Sequence, residues 1–168
     1  MVVGYEKQQI VDQYGAQFRG IEIEYAHQER RDGLAHAVLA AADYLESDFV
    51  VLNGDKVYAA NLGAVIDHHQ ATGADVTFPV REVDRQTATA GAVCELDAAG
   101  NVVGLVEKPE DPPSRLAPMA FYVLPPAVFH ACRLVRPSER GEYELAGAID
   151  LLIRAGYRVE TVPFEGWK

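Results

Sequence analysis

Residues 49–55, Phe-Val-Val-Leu-Asn-Gly-Asp, constrain the fold of this chain more than any other stretch. Four consecutive apolar residues between polar neighbours predict a short strand buried on both faces, as in a parallel sheet beneath helices. The strand is followed by an Asn-Gly turn and then by Asp55. Because ligands of open α/β sheets bind outside the carboxyl ends of the strands, Asp55 is a candidate functional residue.

The rest of the chain alternates between helical and strand patterns. The predicted helices cover residues 6–14, 34–45, 62–72 (with Asn61 as its cap), 125–132 and 143–155. The predicted strands cover residues 1–4, 20–25, 49–52, 75–83, 90–96, 102–106, 117–124 and 157–163, with 90–96 and 102–106 joined as a hairpin. This order predicts a single α/β domain over residues 1–168, with a mixed, mostly parallel sheet and helices on both faces.

The charge balance and the two cysteines exclude several classes of protein. With 25 acidic and 15 basic residues, the formal net charge is −10. Phosphate contacts need clustered Lys and Arg, so a nucleic acid polymer is not an expected partner. No apolar run approaches the roughly 18 residues of a membrane span. Cys94 and Cys132 form no CxxC pair, which favours a reduced, cytoplasmic protein.

Polar residues at strand ends and in glycine turns form a candidate site. Besides Asp55, they are Gln28, Gly33, Gly91, Glu107 and Lys108. Mg²⁺ on phosphates commonly uses one or two protein carboxylates and takes its other oxygens from substrate and water. One Asp and one Lys, in a chain with only four lysines, therefore fit phosphate chemistry. Simpler interpretations stay open: Asp55 as a turn residue, Gln28 as a helix-start residue, and Glu107-Lys108 as a solvated hairpin end.

Four segments in order resemble the sugar-1-phosphate nucleotidylyltransferases, and most of all the glucose-1-phosphate thymidylyl- and uridylyltransferases. They are Gln28 with residues 33–37 (Gly-Leu-Ala-His-Ala), residues 49–55, residues 106–109 (Val-Glu-Lys-Pro) and residues 140–144 (Arg-Gly-Glu-Tyr-Glu). The resemblance implies the Rossmann-like fold of nucleotide-diphospho-sugar transferases. It also implies transfer of dTMP or UMP from dTTP or UTP to a sugar 1-phosphate, glucose 1-phosphate being the expected one, with release of pyrophosphate.

The resemblance assigns a role to each residue on the nucleotide side. Gln28 would hydrogen-bond a pyrimidine base, Gly33 would let the base approach the backbone, and Leu34 would belong to the same substrate-binding segment. Asp55 would hold Mg²⁺ and is expected to be catalytic. Such catalysis consists mainly of positioning and charge stabilisation during in-line attack at phosphorus.

The resemblance assigns the sugar side to four other residues. Gly91 would offer its backbone to the sugar, and Glu107 would accept hydrogen bonds from sugar hydroxyls. Lys108 would neutralise the sugar phosphate and is the second expected catalytic residue. Tyr122 stands where the family packs an aromatic ring near the sugar.

The chain also departs from the family pattern. The family opens with a strand and a Gly-rich, Arg-containing loop that grips the triphosphate, and neither is found here. A second metal-binding aspartate is expected shortly after a tryptophan like Trp167, whereas this sequence ends at Lys168. We therefore expect a fold that is incomplete at the N-terminus and a domain truncated at both ends relative to the family. The alternative function is a non-catalytic nucleotide- or sugar-phosphate-binding module.

A missing first strand has a structural consequence. It would leave the strands at residues 1–3 and 49–52 each with an unpaired apolar edge. Such an edge is a template for pairing with another chain. Either self-association or a rearrangement of the neighbouring strands is therefore expected.

Overall fold

The structure, a computed structural model, describes residues 1–58 and 61–164, so that Trp167 lies outside the described residues. Its strands are β1 (Val2–Val3), β2 (Gln17–Phe18), β3 (Ile21–Glu22), β4 (Ala26–His27), β5 (Phe49–Leu52), β6 (Val76–Glu82), β7 (Ala92–Leu96), β8 (Val102–Glu107), β9 (Leu116–Pro118), β10 (Phe121–Leu124) and β11 (Val159–Pro163). Its α-helices are α1 (Lys7–Tyr14), α2 (Leu34–Leu39), α3 (Gly63–Thr72), α4 (Arg85–Ala90), α5 (Val128–Leu134) and α6 (Leu145–Arg154), and a 3₁₀ turn covers Ala42–Tyr44.

The main sheet has five strands, in the order β11-β6-β10-β5, with β9 also paired to β6. It is mixed, as predicted, and β5, β6 and β11 run in one direction. The expectation of mostly parallel pairing is wrong, because β10 runs antiparallel between β5 and β6, and β9 is antiparallel to β6. Only β11 pairs with β6 in parallel within this sheet. The predicted strand at residues 117–124 is divided at Met119 into β9 and β10.

The strand that is buried on both faces is β6, not β5. Residues 76–80 are all buried, on both sides of the sheet. By contrast, Val50 is 38% and Leu52 is 51% exposed, and within the described residues β5 pairs only with β10. The prediction of a doubly buried strand at residues 49–52 is therefore wrong. An apolar run shows what a strand can bury, but not whether neighbouring elements cover it.

Helices pack on both faces of the sheet, as predicted. Alternation along β10 directs Tyr122 and Leu124 to the face covered by α2, α5 and α6, where the main core lies. It directs Phe121 and Val123 to the opposite face, where Val65 of α3 packs against them. Both cysteines, Cys94 and Cys132, are buried in the main core as free thiols.

Residues 5–25 form an excursion from this core, and none of them is buried. The excursion contains α1, which ends at Gly15 as predicted, and the small β2–β3 hairpin. The predicted strand at residues 20–25 is wrong in extent, because only Ile21–Glu22 is a strand here and β4 begins at Ala26. Ile21 and Glu22, from this alternating apolar and acidic pattern, therefore lie in an exposed hairpin rather than in a strand of the core.

The start of α3 differs from the prediction, and the helix α4 is new. α3 begins at Gly63 and has no side-chain cap, so Asn61 does not cap it. α4 was not predicted; the Asp84 side chain caps it by accepting a hydrogen bond from the Thr87 N–H at 2.7 Å. The β7–β8 hairpin is confirmed. Across the described part of the chain, no helix is long and apolar enough to span a membrane.

Candidate active site

A cleft of about 310 Å³ lies at the carboxyl ends of β5 and β6, where the sequence predicts a ligand. Its walls come from the turn after β5, the end of β6, the α4–β7 junction and the β9–β10 segment. The lining residues are Lys56, Arg81, Val83, Thr87, Gly91, Ala92 and residues 117–120. The cleft thus includes the predicted Gly91 and the residue that directly follows Asp55.

The turn that carries Asp55 is tied to the cleft wall. The Asn53 N–H donates to the Tyr58 hydroxyl at 3.0 Å, and that hydroxyl donates in turn to the carbonyl of Ala120. The Asp55 side chain is 72% exposed, and its Oδ2 lies 3.2 Å from the Lys56 Nζ. Asp55 is therefore a turn residue whose carboxylate faces solvent beside a cation.

This turn fits a magnesium ion that takes most of its ligands from a substrate. The described residues contain no cluster of three or more His, Cys, Asp or Glu that would form a site by themselves. A single carboxylate is nevertheless enough when phosphate and water oxygens complete the shell. The buried Asn53 Oδ1, which has no hydrogen-bond partner among the described residues, adds a second oxygen to the same turn.

Glu107 and Lys108 lie next to Gly91 through the β7–β8 hairpin. Ala92 is paired with Glu107, and the Lys108 N–H donates to the Gly91 carbonyl at 3.0 Å. Lys108 has a φ of +45°, a left-handed conformation that a lysine rarely adopts and that is enriched at functional sites. The Glu107 Oε1 and Lys108 Nζ are 3.6 Å apart, with side chains only 22% and 31% exposed. A solvated hairpin end does not describe this half-buried pair.

The surroundings of Glu107 favour its neutral form. Burial raises the pKa of the Glu107 carboxyl, and the nearby Glu144 carboxylate raises it further, while Lys108 and Arg140 oppose the rise. Both Arg140 and Glu144 belong to the Arg-Gly-Glu-Tyr-Glu segment. This segment therefore acts electrostatically on the sugar-side pair predicted from the sequence.

Tyr122 lies in the main core and is not among the residues that line the cleft. Its ring packs against Phe78 with centroids 5.8 Å apart. Burial raises the pKa of the Tyr122 hydroxyl, and the negative charge of Glu107 adds to this effect. Tyr122 is thus close enough to Glu107 to sense its charge, and its packing against a sugar stays a prediction.

Gln28, Gly33 and Leu34 are at the start of α2. The Gln28 Nε2 donates to the Gly33 carbonyl at 3.2 Å and lies 3.4 Å from the His36 Nδ1. Leu34 is the first residue of α2 and packs against the main core. The Gln28 amide is thus engaged in closing its own turn, as the helix-start interpretation expects, and base recognition by it stays a prediction.

Gly33 is required by the chain itself. With φ of +110°, it passes the backbone of Tyr143 so closely that a Cβ would come within 2.5 Å of the Tyr143 carbonyl oxygen. Two hydrogen bonds flank this contact, from Ala35 N–H to the Tyr143 oxygen at 2.9 Å and from Tyr143 N–H to the Asp32 oxygen at 2.7 Å. The structure therefore brings the first and fourth of the family-like segments into direct contact.

The three polar side chains of the cleft lining, Lys56, Arg81 and Thr87, were not among the predicted site residues. Arg81 could have been found by the rule that selected Asp55, since it stands at the carboxyl end of a strand that runs in the same direction. Thr87 could not, because α4 has too few residues for a helical period. Most of the predicted sugar-side residues do come together, through Gly91, Glu107 and Lys108.

Comparisons with known proteins agree on one family. The sequence profile described as nucleotidyl transferase matches residues 1–168. The UTP–glucose-1-phosphate uridylyltransferase AglF of Haloferax volcanii is 45% identical over 168 residues, which are 100% of this chain and 69% of AglF. A glucose-1-phosphate thymidylyltransferase of Streptomyces antibioticus is 40% identical over 159 residues, or 92% of this chain, and the match spans only 43% of that protein.

Solved structures show the same fold. A UDP-glucose pyrophosphorylase in complex with UDP-glucose superposes with a TM-score of 0.84 at 20% identity, over 98% of this chain and 72% of that one. A glucose-1-phosphate thymidylyltransferase structure from Bacillus anthracis, described as putative, gives a TM-score of 0.84 at 22% identity, over 99% of this chain and 67% of that one. The fold class expected from the sequence is thereby confirmed.

Proposed function

The chain belongs to the nucleotidyl transferase family, and we propose that it transfers UMP or dTMP from UTP or dTTP to a sugar 1-phosphate, with glucose 1-phosphate as the first candidate. Pyrophosphate is the second product. The observation that carries the proposal is the meeting of Gly91, Glu107 and Lys108 beside a cleft at the strand ends. The names of the relatives AglF and the Streptomyces thymidylyltransferase agree with this substrate class.

The sugar 1-phosphate is the nucleophile of this reaction. One of its phosphate oxygens attacks the α-phosphorus of the nucleotide in line with the departing pyrophosphate. Lys108, half-buried beside Gly91, supplies positive charge for the sugar phosphate. Glu107 accepts hydrogen bonds from sugar hydroxyls, and its partial burial fixes the carboxyl in place. These residues act by orienting the two substrates, which is where most of the rate gain in phosphoryl transfer arises.

Mg²⁺ is the cofactor of the proposal, with Asp55 as its protein ligand. When bound, the ion would offset the negative charge of the nucleotide phosphates. Asp55 is free to act in this way because its carboxylate is 72% exposed and its only ion-pair partner in the described chain is Lys56, which is itself 42% exposed. The polar substrates and the reduced thiols support a cytoplasmic location.

Gln28 is the proposed reader of the base, with Gly33 and Leu34 shaping the same turn. An amide can pair with both a carbonyl and an N–H of uracil or thymine. Its hydrogen bond to Gly33 would have to open, or be shared, when a base binds. Competition among UTP, dTTP and GTP for one labelled ligand tests this role, and a preference for GTP would contradict it.

A pyrophosphate-release assay with glucose 1-phosphate and either UTP or dTTP tests the function directly. We expect turnover that requires Mg²⁺ and is lost in Lys108→Gln. Lys7→Gln is the matched control, because Lys7 lies on the exposed helix α1 away from the cleft. Binding of both substrates without pyrophosphate release would replace the proposal with the non-catalytic binding module.

A further inference from the structure

The cleft at the strand ends carries positive charge in a protein that is otherwise acidic. Two of its lining side chains, Lys56 and Arg81, are cations, and none of the lining side chains is a carboxylate. Lys56 also lies 3.2 Å from the exposed Asp55 carboxylate, which is not part of the lining. Thr87 is the remaining polar side chain, and the other lining residues are glycine or apolar. The chain as a whole has 25 acidic and 15 basic residues, so this local excess runs against the overall composition.

Arg81 has no carboxylate partner among the described residues, although charged residues surround it. Its neighbours are already paired with one another: Arg115 with Glu82, and Arg85 with Asp111 at 2.9 Å. Arg81 itself lies near the end of β6, opposite Ala117 of β9, and is half-buried. Partial burial of an unpaired guanidinium is costly, and an anion arriving from solvent would remove that cost.

We infer that Arg81 and Lys56 bind an anionic group of the sugar substrate in this cleft, and that Arg81 is a specificity-determining residue. The inference takes from the proposed function only that the substrate is a sugar phosphate. The planar guanidinium matches the paired oxygens of a phosphate or a carboxylate, while Lys56 adds a point charge. A volume of about 310 Å³ is at the lower end of small-molecule sites, which suits a monosaccharide.

The cleft lining combines neutral and charged groups. Gly91 and Ala92 contribute backbone and a methyl group, and Arg81, near the end of β6, contributes a guanidinium. A neutral sugar would leave the guanidinium unpaired, whereas an anionic sugar would pair it. The group in question is either the 1-phosphate itself or a ring carboxylate, as in a hexuronic acid, and the two sources differ in a binding experiment.

Calorimetric titration of the intact chain with three ligands tests the inference. Glucose 1-phosphate carries only the phosphate, glucuronic acid carries only the carboxylate, and glucose carries neither. We expect Arg81→Gln to weaken the anion that binds by about 10- to 100-fold, the usual value of a hydrogen-bonded charge. Glucose affinity should not change. Loss confined to glucose 1-phosphate assigns the 1-phosphate, and loss for glucuronic acid assigns a ring carboxylate.

Two further variants complete the experiment. Arg81→Lys keeps the positive charge but loses the planar guanidinium with its two parallel hydrogen bonds, so its anion affinity should fall between those of wild type and Arg81→Gln. This variant replaces Arg81→Gln in the titration if the glutamine variant does not fold. Arg85→Gln is the matched control, since Arg85 is 70% exposed, pairs with Asp111 and does not line the cleft. It should bind like wild type.

Three results would overturn the inference: no binding of either anion by wild type, unchanged anion affinity in Arg81→Gln, or an equal loss for neutral glucose. The pyrophosphate-release assay separates this outcome from the proposed function. Arg81-dependent anion binding without pyrophosphate release would reject the proposed reaction and leave the anion site standing. Pyrophosphate release combined with anion binding that is independent of Arg81 would reject the anion site at Arg81 and leave the proposed reaction standing.

Discussion

Substituting Gly33 by alanine tests the contact that joins the start of α2 to the Arg-Gly-Glu-Tyr-Glu segment. The new methyl group would lie 2.5 Å from the Tyr143 oxygen and 2.7 Å from its nitrogen, both of them backbone atoms that cannot swing aside. The φ of +110° is in addition a conformation that alanine adopts only under strain. Either effect alone would destabilise the fold, and here they act together.

The loss of stability in Gly33→Ala can be estimated from the backbone strain that is added and the hydrogen bonds that are weakened. Backbone strain of this kind costs about 1–3 kcal/mol. Relieving the clash moves residues 32–35 away from Tyr143 and weakens two hydrogen bonds, each worth about 1 kcal/mol. We expect the free energy of unfolding to fall by about 3–5 kcal/mol. With a urea dependence of about 2 kcal/mol per molar, the unfolding midpoint should drop by about 1.5–2.5 M.

Gly156→Ala is the matched control for this measurement. Gly156 also has a positive φ, +91°, but no atom lies within 4 Å of its would-be Cβ. It should therefore lose only the conformational part, about 1–2 kcal/mol. Equal midpoints for the two variants, measured by circular dichroism under urea, would refute the claim that close approach to Tyr143 is what demands a glycine at position 33.

Three further outcomes are expected. Asp55→Asn should abolish the Mg²⁺ dependence of nucleotide binding, because an amide is a poorer ligand for a hard cation; equal calorimetric affinity of wild type with and without chelator would contradict the metal role. Because the folded-state pKa of Glu107 is raised, its contribution to stability is present below about pH 4.5 and is lost as pH rises through the folded value. Wild type should therefore lose urea stability relative to Glu107→Gln as pH rises above about 4.5, whereas the exposed Glu110→Gln should follow wild type. One edge of β5 has no strand partner among the described residues and should cause self-association in light scattering. Val50→Lys should disperse it and Leu151→Lys, at similar exposure on α6, should not; a wild-type monomer at every concentration would rule this out.

The sequence predicts local features well where the cause is local. Gly15 ends α1 and Gly73 ends α3 as expected, and the turn after Leu96 joins the β7–β8 hairpin. These outcomes depend on residues within a few positions of each other. The β7–β8 register pairs Glu107 with Ala92, which brings Glu107 close to the neighbouring predicted residue Gly91 without any long-range information.

The structural features that could not be predicted depend on contacts between residues that are far apart in the sequence. The sequence predicts burial on both faces for residues 49–52 and only a strand for residues 75–83, whereas it is residues 76–80 that are covered on both faces. The close approach of Gly33 to the backbone of Tyr143, more than a hundred residues away, was not predicted, and the approach of a base to Gly33 stays a prediction. The position of Arg81 near a strand end could have been predicted, but its lack of a carboxylate partner among the described residues could not, because it depends on the pairing of Arg115 with Glu82 and of Arg85 with Asp111.

The excursion at residues 5–25 has a consequence for engineering. Since none of its side chains is buried, changes there remove little apolar packing from the rest of the molecule. The tip of its hairpin, Arg19-Gly20, has both residues in left-handed conformations and is exposed. A peptide tag or a small reporter domain could be inserted between Arg19 and Gly20. Both of its ends would then be joined to the β2–β3 hairpin. The chain thus offers an internal attachment point that leaves both of its termini untouched.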